Sequence, residues 1–213
     1  KFNKPNGGGR PEWVQLVPVA DTYRGAHRGP DAAARYAEHV DGAIARIRAR
    51  GGRLAGFIAE TFPSVGGQII PPVGYLPAVY DRIRAAGGVC IADEVQTGIG
   101  RLGDWFWGFE HQGAQPDIVV LGKPLGNGHP LGAVITTTDI ARSFDNGIEF
   151  FSTFGGSTLS CRVGTEVLRI VDDEGLQENA RLVGDHLLAE LRALQLRSPM
   201  IGDDADSNKK REP

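Results

Sequence analysis

Residues 88–132 decide the fold, and they read GVCIADEVQTGIGRLGDWFWGFEHQGAQPDIVVLGKPLGNGHPLG. The stretch holds two short apolar runs. Residues 89–92 end on Asp93, and residues 118–121 are followed by a glycine and Lys123. Short apolar runs bounded by turn residues are typical of strands buried in a parallel sheet. Because open α/β sheets place their chemistry beyond the carboxyl ends of their strands, Asp93 and Lys123 are predicted to share one edge.

Composition excludes several classes of protein. The chain has 213 residues, of which 41% are hydrophobic and 23% charged, as is ordinary for a globular protein. A net charge of -3 gives no basic field for nucleic acid, and no apolar run approaches the roughly 20 residues of a membrane span. The two cysteines, Cys90 and Cys161, form no CxxC motif and indicate a reducing compartment, so we expect a cytoplasmic location.

Helical and strand patterns alternate along the chain. Apolar spacings of three and four predict helices at residues 31–50, 75–86, 161–171 and 175–196. Further strands are predicted at residues 13–19, 54–60 and 132–137. The alternation predicts the α/β class, as a three-layer α/β/α sandwich around a mostly parallel sheet.

Asp93 and Lys123 are the first candidates for chemistry. A lysine at a strand end, partly withdrawn from water, is a competent nucleophile toward a carbonyl group. Pyridoxal phosphate uses such an amine, and it also needs a carboxylate that keeps its pyridine nitrogen protonated. Asp93 suits that role, whereas Glu94 points the other way along a strand and is predicted to be structural.

Competing motifs are incomplete. The run VCIADE is similar to the acidic strand of a P-loop ATPase, but the GxxxxGK[ST] loop that such a protein needs is missing upstream. A GxSxG pentapeptide, which a hydrolase would need, is also missing. The five histidines are too scattered for metal-ligand spacing, so no metal site is predicted.

Four separated motifs resemble the class III (subgroup II) aminotransferases of the fold-type I pyridoxal phosphate enzymes. They occur in the family's order, and they are FIAETFPSVGGQIIPPVGYL, IADEVQTGIGRLG, PDIVVLGKPLGNGHPLGA and FFSTFGGSTLSC. The resemblance implies that Lys123 is the Schiff-base lysine, that Asp93 pairs with the pyridine nitrogen, and that Gln96 lies against the cofactor's phenolic oxygen. It further implies that Glu60 lies near the cofactor ring. Thr153 would reach the cofactor phosphate of the neighbouring subunit, which makes a homodimer the expected assembly.

The resemblance leaves two reactions open. The first is transamination of an ω-amine or amino acid with a 2-oxo acid. The second is elimination of phosphate by an amine phospho-lyase of the phosphoethanolamine type, because Glu60 is followed by Thr61 where the family commonly has proline. Small-molecule amines and 2-oxo acids are therefore the expected partners.

The resemblance also implies a division of the chain. Residues 1–158 correspond to the second half of the cofactor-binding large domain, and residues 159–200 to helices that lead toward a small C-terminal domain. Residues 201–213 form a polar tail that we expect to be disordered. The family's upstream phosphate-binding loop has no counterpart in the sequence, which leaves an inactive chain that keeps the fold as a third possibility.

Overall fold

A four-stranded sheet lies at the centre of the computed structural model, which describes residues 9–198 and 200–201. The strands follow one another in the order of the chain: β1 (Gly56–Glu60), β2 (Val89–Asp93), β3 (Ile118–Leu121) and β4 (Ala133–Thr136). The first three are parallel, and β4 pairs antiparallel with β3. The predicted α/β class with a mostly parallel sheet is confirmed.

Six α-helices and one 3-10 helix connect and flank these strands within the described residues. The α-helices are α1 (Ala32–Ala49), α2 (Tyr75–Ala85), α3 (Gly108–His111), α4 (Thr138–Phe144), α5 (Thr158–Asp173) and α6 (Leu176–Arg197). The 3-10 helix spans Lys123–Gly126, directly after β3. The four helices expected from apolar spacing are present, whereas α3, α4 and the 3-10 helix are too short to produce a periodic signal.

One face of the sheet packs against α1 and α2. Phe57 of β1 and Cys90 of β2, which are register partners, join a core formed largely by the two helices. Tyr36, Tyr80 and Leu76 are its largest fully buried apolar side chains. Burial of side chains of this size stabilises a fold by about 2–3 kcal/mol each, so this core fixes the orientation of β1 and β2.

The other face of the sheet is largely uncovered in the described part of the chain. Ile58 of β1 and Val134 of β4 lie on it, and they are 62% and 66% exposed. The strand predicted at residues 54–60 is present as β1, and Ile58 shows that only one side of it is buried. Side chains in a strand alternate between faces, and the register pairs Glu60 with Asp93, so both carboxylates belong to this open face.

The strand predicted at residues 13–19 is wrong. These residues follow a turn in which the Val14 amide donates to the carbonyl of Pro11, and they then run along α1 without joining the sheet. Arg46 of α1 donates to the Gln15 side chain at 2.9 Å. Pro18 has no amide hydrogen to offer a strand ladder, which disfavours pairing at that position.

The predicted domain division stays a prediction. Residue 201 is the only part of the polar tail within the described residues. The apolar positions expected along α6 exist, but Leu176, Val183 and Leu187 among them are exposed. Of the described helices, none is both long and apolar enough to cross a membrane.

Candidate functional site

Three of the five predicted site residues end a strand, or follow it within two residues, at the carboxyl edge of the sheet. Glu60 ends β1, Asp93 ends β2, and the two are paired in register. Lys123 follows β3, the next strand, after a single glycine. The structure therefore brings a carboxylate and an amine to one edge, as the sequence predicts, and it adds a second carboxylate beside the first.

Lys123 has a backbone conformation that lysine rarely adopts. Its φ is +29°, in the left-handed region, while Gly122 before it is extended. Such a conformation costs of order 1–3 kcal/mol in a residue with a Cβ, and it persists only where the surrounding structure enforces it. The side chain is exposed rather than partly withdrawn from water, which corrects that sequence expectation for this chain.

Sequence composition carried a further signal at Lys123 that the motif reasoning missed. It is the only lysine between Lys4 and Lys209, and every other basic residue in that stretch, histidine aside, is arginine. Arginine keeps its charge in almost any setting, whereas lysine can supply a neutral amine. A single lysine among many arginines is therefore better explained by amine chemistry than by a need for surface charge.

Glu94 is buried and structural, as predicted, and the structure shows what it holds. Its side chain has no exposed surface, and its two oxygens accept four hydrogen bonds. The donors are the hydroxyls of Thr61 (2.5 Å) and Thr97 (2.7 Å) and the amides of Gly108 (2.8 Å) and Phe109 (2.9 Å). One carboxylate thus joins the loop after β1, the turn after β2 and the start of α3.

This arrangement fixes the turn that carries Gln96. The Gly98 amide donates to the Glu94 carbonyl at 2.9 Å, which closes a turn around the half-buried Gln96. The Val95 amide donates to Asp93 Oδ1 at 3.0 Å, so the Asp93 carboxylate is also held by its own loop. Adjacent residues in a strand point to opposite faces, which leaves Asp93 on the open face and Glu94 in the protein.

Glu60 and Thr153 are placed differently from the other candidates. Glu60 Oε2 accepts hydrogen bonds from the amide and hydroxyl of Ser64, at 3.1 and 3.0 Å, which turns its side chain toward its own loop. Thr153 lies outside the sheet edge, in the exposed loop between α4 and α5. The structure brings Asp93, Lys123, Gln96 and Glu60 to the end of the sheet and leaves Thr153 apart.

Other reactive groups are occupied elsewhere. Burial raises the pKa of the Cys90 thiol to about 12, which makes it a poor nucleophile. Burial would raise the pKa of Asp117, but hydrogen bonds from the Cys90 amide and Arg84 outweigh burial and lower it. Among the described residues, no group of three or more His, Cys, Asp or Glu side chains is placed to hold a metal ion.

Comparison with known proteins identifies the family. The family model described as aminotransferase class-III matches residues 6–203. The chain belongs to the class-III aminotransferases. It is 47% identical over 209 residues to a Drosophila melanogaster protein named alanine--glyoxylate aminotransferase 2-like, a match that spans 95% of this chain and 42% of the relative. It is 37% identical over 216 residues to ethanolamine-phosphate phospho-lyase homolog 1 of Caenorhabditis elegans, across 95% of this chain and 46% of that protein.

Solved structures of two enzymes have the same fold. A phospholyase from Arthrobacter, in complex with phosphoethanolamine, superposes with a TM-score of 0.83 at 33% identity, over 100% of this chain and 52% of that one. An amine transaminase from an uncultivated Pseudomonas species, in its PLP-bound form, superposes with a TM-score of 0.84 at 32% identity. The match covers 93% of this chain and 46% of that one. The class-III chain described here thus spans about half the length of the relatives that it matches.

Proposed function

We propose that this chain carries the amine-bearing part of a pyridoxal-phosphate-dependent aminotransferase site, which transfers an amino group from an ω-amine or amino acid to a 2-oxo acid. The observation that supports this most directly is the edge shared by Asp93 and Lys123, at the ends of neighbouring parallel strands. The donor would exchange its C–N bond for a carbonyl group and the acceptor would do the reverse, so the exchange needs no external oxidant.

The side chains present at this edge fit the cofactor. Asp93 is fixed by the Val95 amide on a face that the described residues leave open, and the exposed Lys123 follows the neighbouring strand at the same end of the sheet. A carboxylate and a primary amine are the two groups that pyridoxal phosphate requires of a protein around its ring. When bound, the cofactor supplies an electron sink that makes a carbon–hydrogen bond of the substrate acidic.

Each residue then has a defined task. With the cofactor bound, the Asp93 carboxylate would hold a proton on the pyridine nitrogen, and Lys123 Nζ would bind the cofactor and move the substrate's proton. Gln96, in its fixed turn, and Glu60, at the end of β1, would lie near the cofactor ring. Thr153 would bind the cofactor phosphate of the neighbouring subunit.

Amino-group transfer tests this proposal. The chain is incubated with pyridoxal phosphate, an amine donor and a 2-oxo acid, and the new amino acid is quantified by chromatography. We expect formation that is lost in Lys123→Arg, because arginine keeps the charge but cannot supply a neutral amine. Equal formation by wild type and Lys123→Arg would overturn the assignment of Lys123. Absence of any cofactor binding would support the inactive alternative.

A phospho-lyase is the second candidate, favoured by the match of the entire chain to the Arthrobacter phospholyase. In this reaction the α-carbon of phosphoethanolamine would lose a proton as the bond from its β-carbon to the phosphate oxygen breaks, and water would then release acetaldehyde and ammonia from the remaining two-carbon fragment. Phosphate released from phosphoethanolamine without any 2-oxo acid would favour the lyase. Amino-acid formation that depends on the 2-oxo acid would favour the aminotransferase.

A homodimer is part of the same proposal. The loop that carries Thr153 also carries Phe150, Phe151 and Phe154, which are 72–87% exposed. Exposed aromatic clusters of this kind are typical of protein interfaces. The cytoplasmic location stays a prediction; the human relative at 46% identity is named as a mitochondrial protein.

A further inference from the structure

The conformation of Lys123 must be enforced by its surroundings, and the chain after it is built as a series of turns. The Leu125 amide donates to the Gly122 carbonyl at 2.9 Å, and the Asn127 amide to the Pro124 carbonyl at 3.1 Å. The His129 amide then donates to the Gly126 carbonyl at 2.9 Å. Because each turn shares residues with the next, the position of residue 129 constrains the backbone back to Lys123.

The far end of this series is attached to α5. His129 Nε2 lies 2.9 Å from Ser160 Oγ, at hydrogen-bonding distance and partly buried. Ser160 belongs to the first turn of α5, which begins after the capping residue Ser157. The amide of Ser160 donates to the Ser157 hydroxyl at 3.4 Å, so the serine that hydrogen-bonds to His129 is itself held by the helix cap.

Apolar packing supports the same contact. Gly164, one turn further along α5, faces the loop so closely that a Cβ there would lie 2.6 Å from Leu131 Cδ2. Leu125, inside the series of turns, is buried. The helix therefore holds the segment 123–131 by a hydrogen bond and by close packing, and β3 holds its other end.

We propose that His129 is a positioning residue for Lys123, which acts through its hydrogen bond to Ser160 and holds the lysine loop in the strained form that presents the amine to the cofactor. This inference rests on the proposed function of Lys123. The same hydrogen bond ties the lysine loop to the helix that follows the Thr153 loop, so it joins the two parts of the proposed site.

The test compares two reactions of Lys123 in the same chain. One is trapping of pyridoxal phosphate with borohydride, which depends on a correctly placed amine, and the other is reductive methylation with formaldehyde, which depends only on exposure. Peptide mapping quantifies both, and Lys1, Lys4, Lys209 and Lys210 serve as internal controls. In His129→Phe, which keeps a ring but removes the nitrogen, we expect pyridoxal phosphate trapping to slow about three- to tenfold, with methylation unchanged.

Further variants define the contact. His129→Gln, whose amide can still bond to Ser160, should restore most of the rate, and Ser160→Ala should reproduce the loss. The double variant should be no slower than either single variant, as expected for two partners of one bond. His186→Phe alters an exposed histidine of α6 and should change nothing.

Four results would contradict the inference or its basis. An unchanged trapping rate in His129→Phe overturns it, as does a general loss of thermal stability, which would indicate a merely structural role. If wild-type Lys123 is trapped no faster than the terminal lysines, the proposed function fails instead. Hydrogen exchange of the amides of Lys123 and residues 125–129 then still tests the inference, because exchange unchanged by His129→Phe would show that the histidine does not hold the loop.

Discussion

Glu94 is a buried carboxylate without a nearby ion pair among its described contacts, and four neutral donors stabilise it. Glu94→Gln keeps the shape of the side chain but replaces one of its two acceptor oxygens with an NH2 group. At least one of the four donors therefore loses its acceptor. We expect the free energy of unfolding to fall by about 3 kcal/mol, measured by urea denaturation. Glu190→Gln, on the exposed surface of α6, should change it by less than about 0.5 kcal/mol. A loss no larger than this control would contradict the structural role assigned to Glu94.

Asp117 predicts a dependence of stability on pH. It accepts hydrogen bonds from the Cys90 amide at 2.7 Å and from Arg84 at 3.0 Å, and the net effect lowers its pKa. A carboxyl whose pKa is lower when folded stabilises the fold fully above its unfolded pKa of about 4, and the contribution is lost as the pH falls from there through the lower folded pKa. Asp117→Asn should therefore lower the free energy of unfolding by about 2 kcal/mol at pH 7 and by less at pH 3.

The control for this prediction is Asp139→Asn, at a carboxylate that is 94% exposed. Urea unfolding of the three chains at both pH values gives the comparison. A cost of Asp117→Asn that stays the same at pH 3 and pH 7 would show that the carboxylate charge is not what matters at this position.

At the scale of elements, two glycines test how the loop after β2 docks on α6. Gly103 has a φ of +73°, and a Cβ there would lie 2.6 Å from Arg181 Cα of α6. Gly113 has a similar φ of +66° with nothing within 4 Å. Gly113→Ala should lower the free energy of unfolding by about 1 kcal/mol, through backbone strain alone. Gly103→Ala should lower it by about 1–3 kcal/mol more, because its Cβ also clashes with α6. Thermal melts of both variants measure the difference, and equal losses would mean that the loop does not pack on α6.

The strands also show how much of the fold could be predicted from the sequence. Residues 89–93 and 118–121 were predictable because each is an apolar run between turn residues, and β2 and β3 lie there. Residues 13–19 have the same pattern, but their place beside α1 depends on partners such as Arg46 that are distant in sequence. A local pattern carries no information about such contacts, so the strand was predicted wrongly.

The candidate site, too, could be predicted from the sequence only in part. Asp93 and Lys123 could be placed at one edge because strand ends meet there in any parallel sheet. The strained backbone of Lys123 and the distant partners of Glu94 and His129 arise from tertiary packing, which no spacing in the sequence reveals. Thr153 was assigned by family resemblance, and its role across a subunit boundary stays a prediction.

The whole molecule exposes apolar surface that a stable single chain rarely leaves open. The aromatic loop around Thr153 and the open face of the sheet with Ile58 and Val134 are the main regions. We expect the chain to self-associate in analytical ultracentrifugation, and the Phe150→Ser, Phe151→Ser double variant to weaken the association at least tenfold. Trp13→Ser removes an equally exposed aromatic elsewhere and should leave it unchanged. A monomer at all concentrations would contradict an interface at this loop.

The central claim is that Asp93 and Lys123 form the chemical part of a pyridoxal phosphate site, and covalent trapping tests it most directly. The chain is reduced with borohydride in the presence of the cofactor, digested and mapped by mass spectrometry, beside an Asp93→Asn variant. The account predicts a pyridoxyl group on Lys123 in preference to Lys1, Lys4, Lys209 and Lys210, with less in the variant. A label that falls on the terminal lysines equally, or on none, would contradict it.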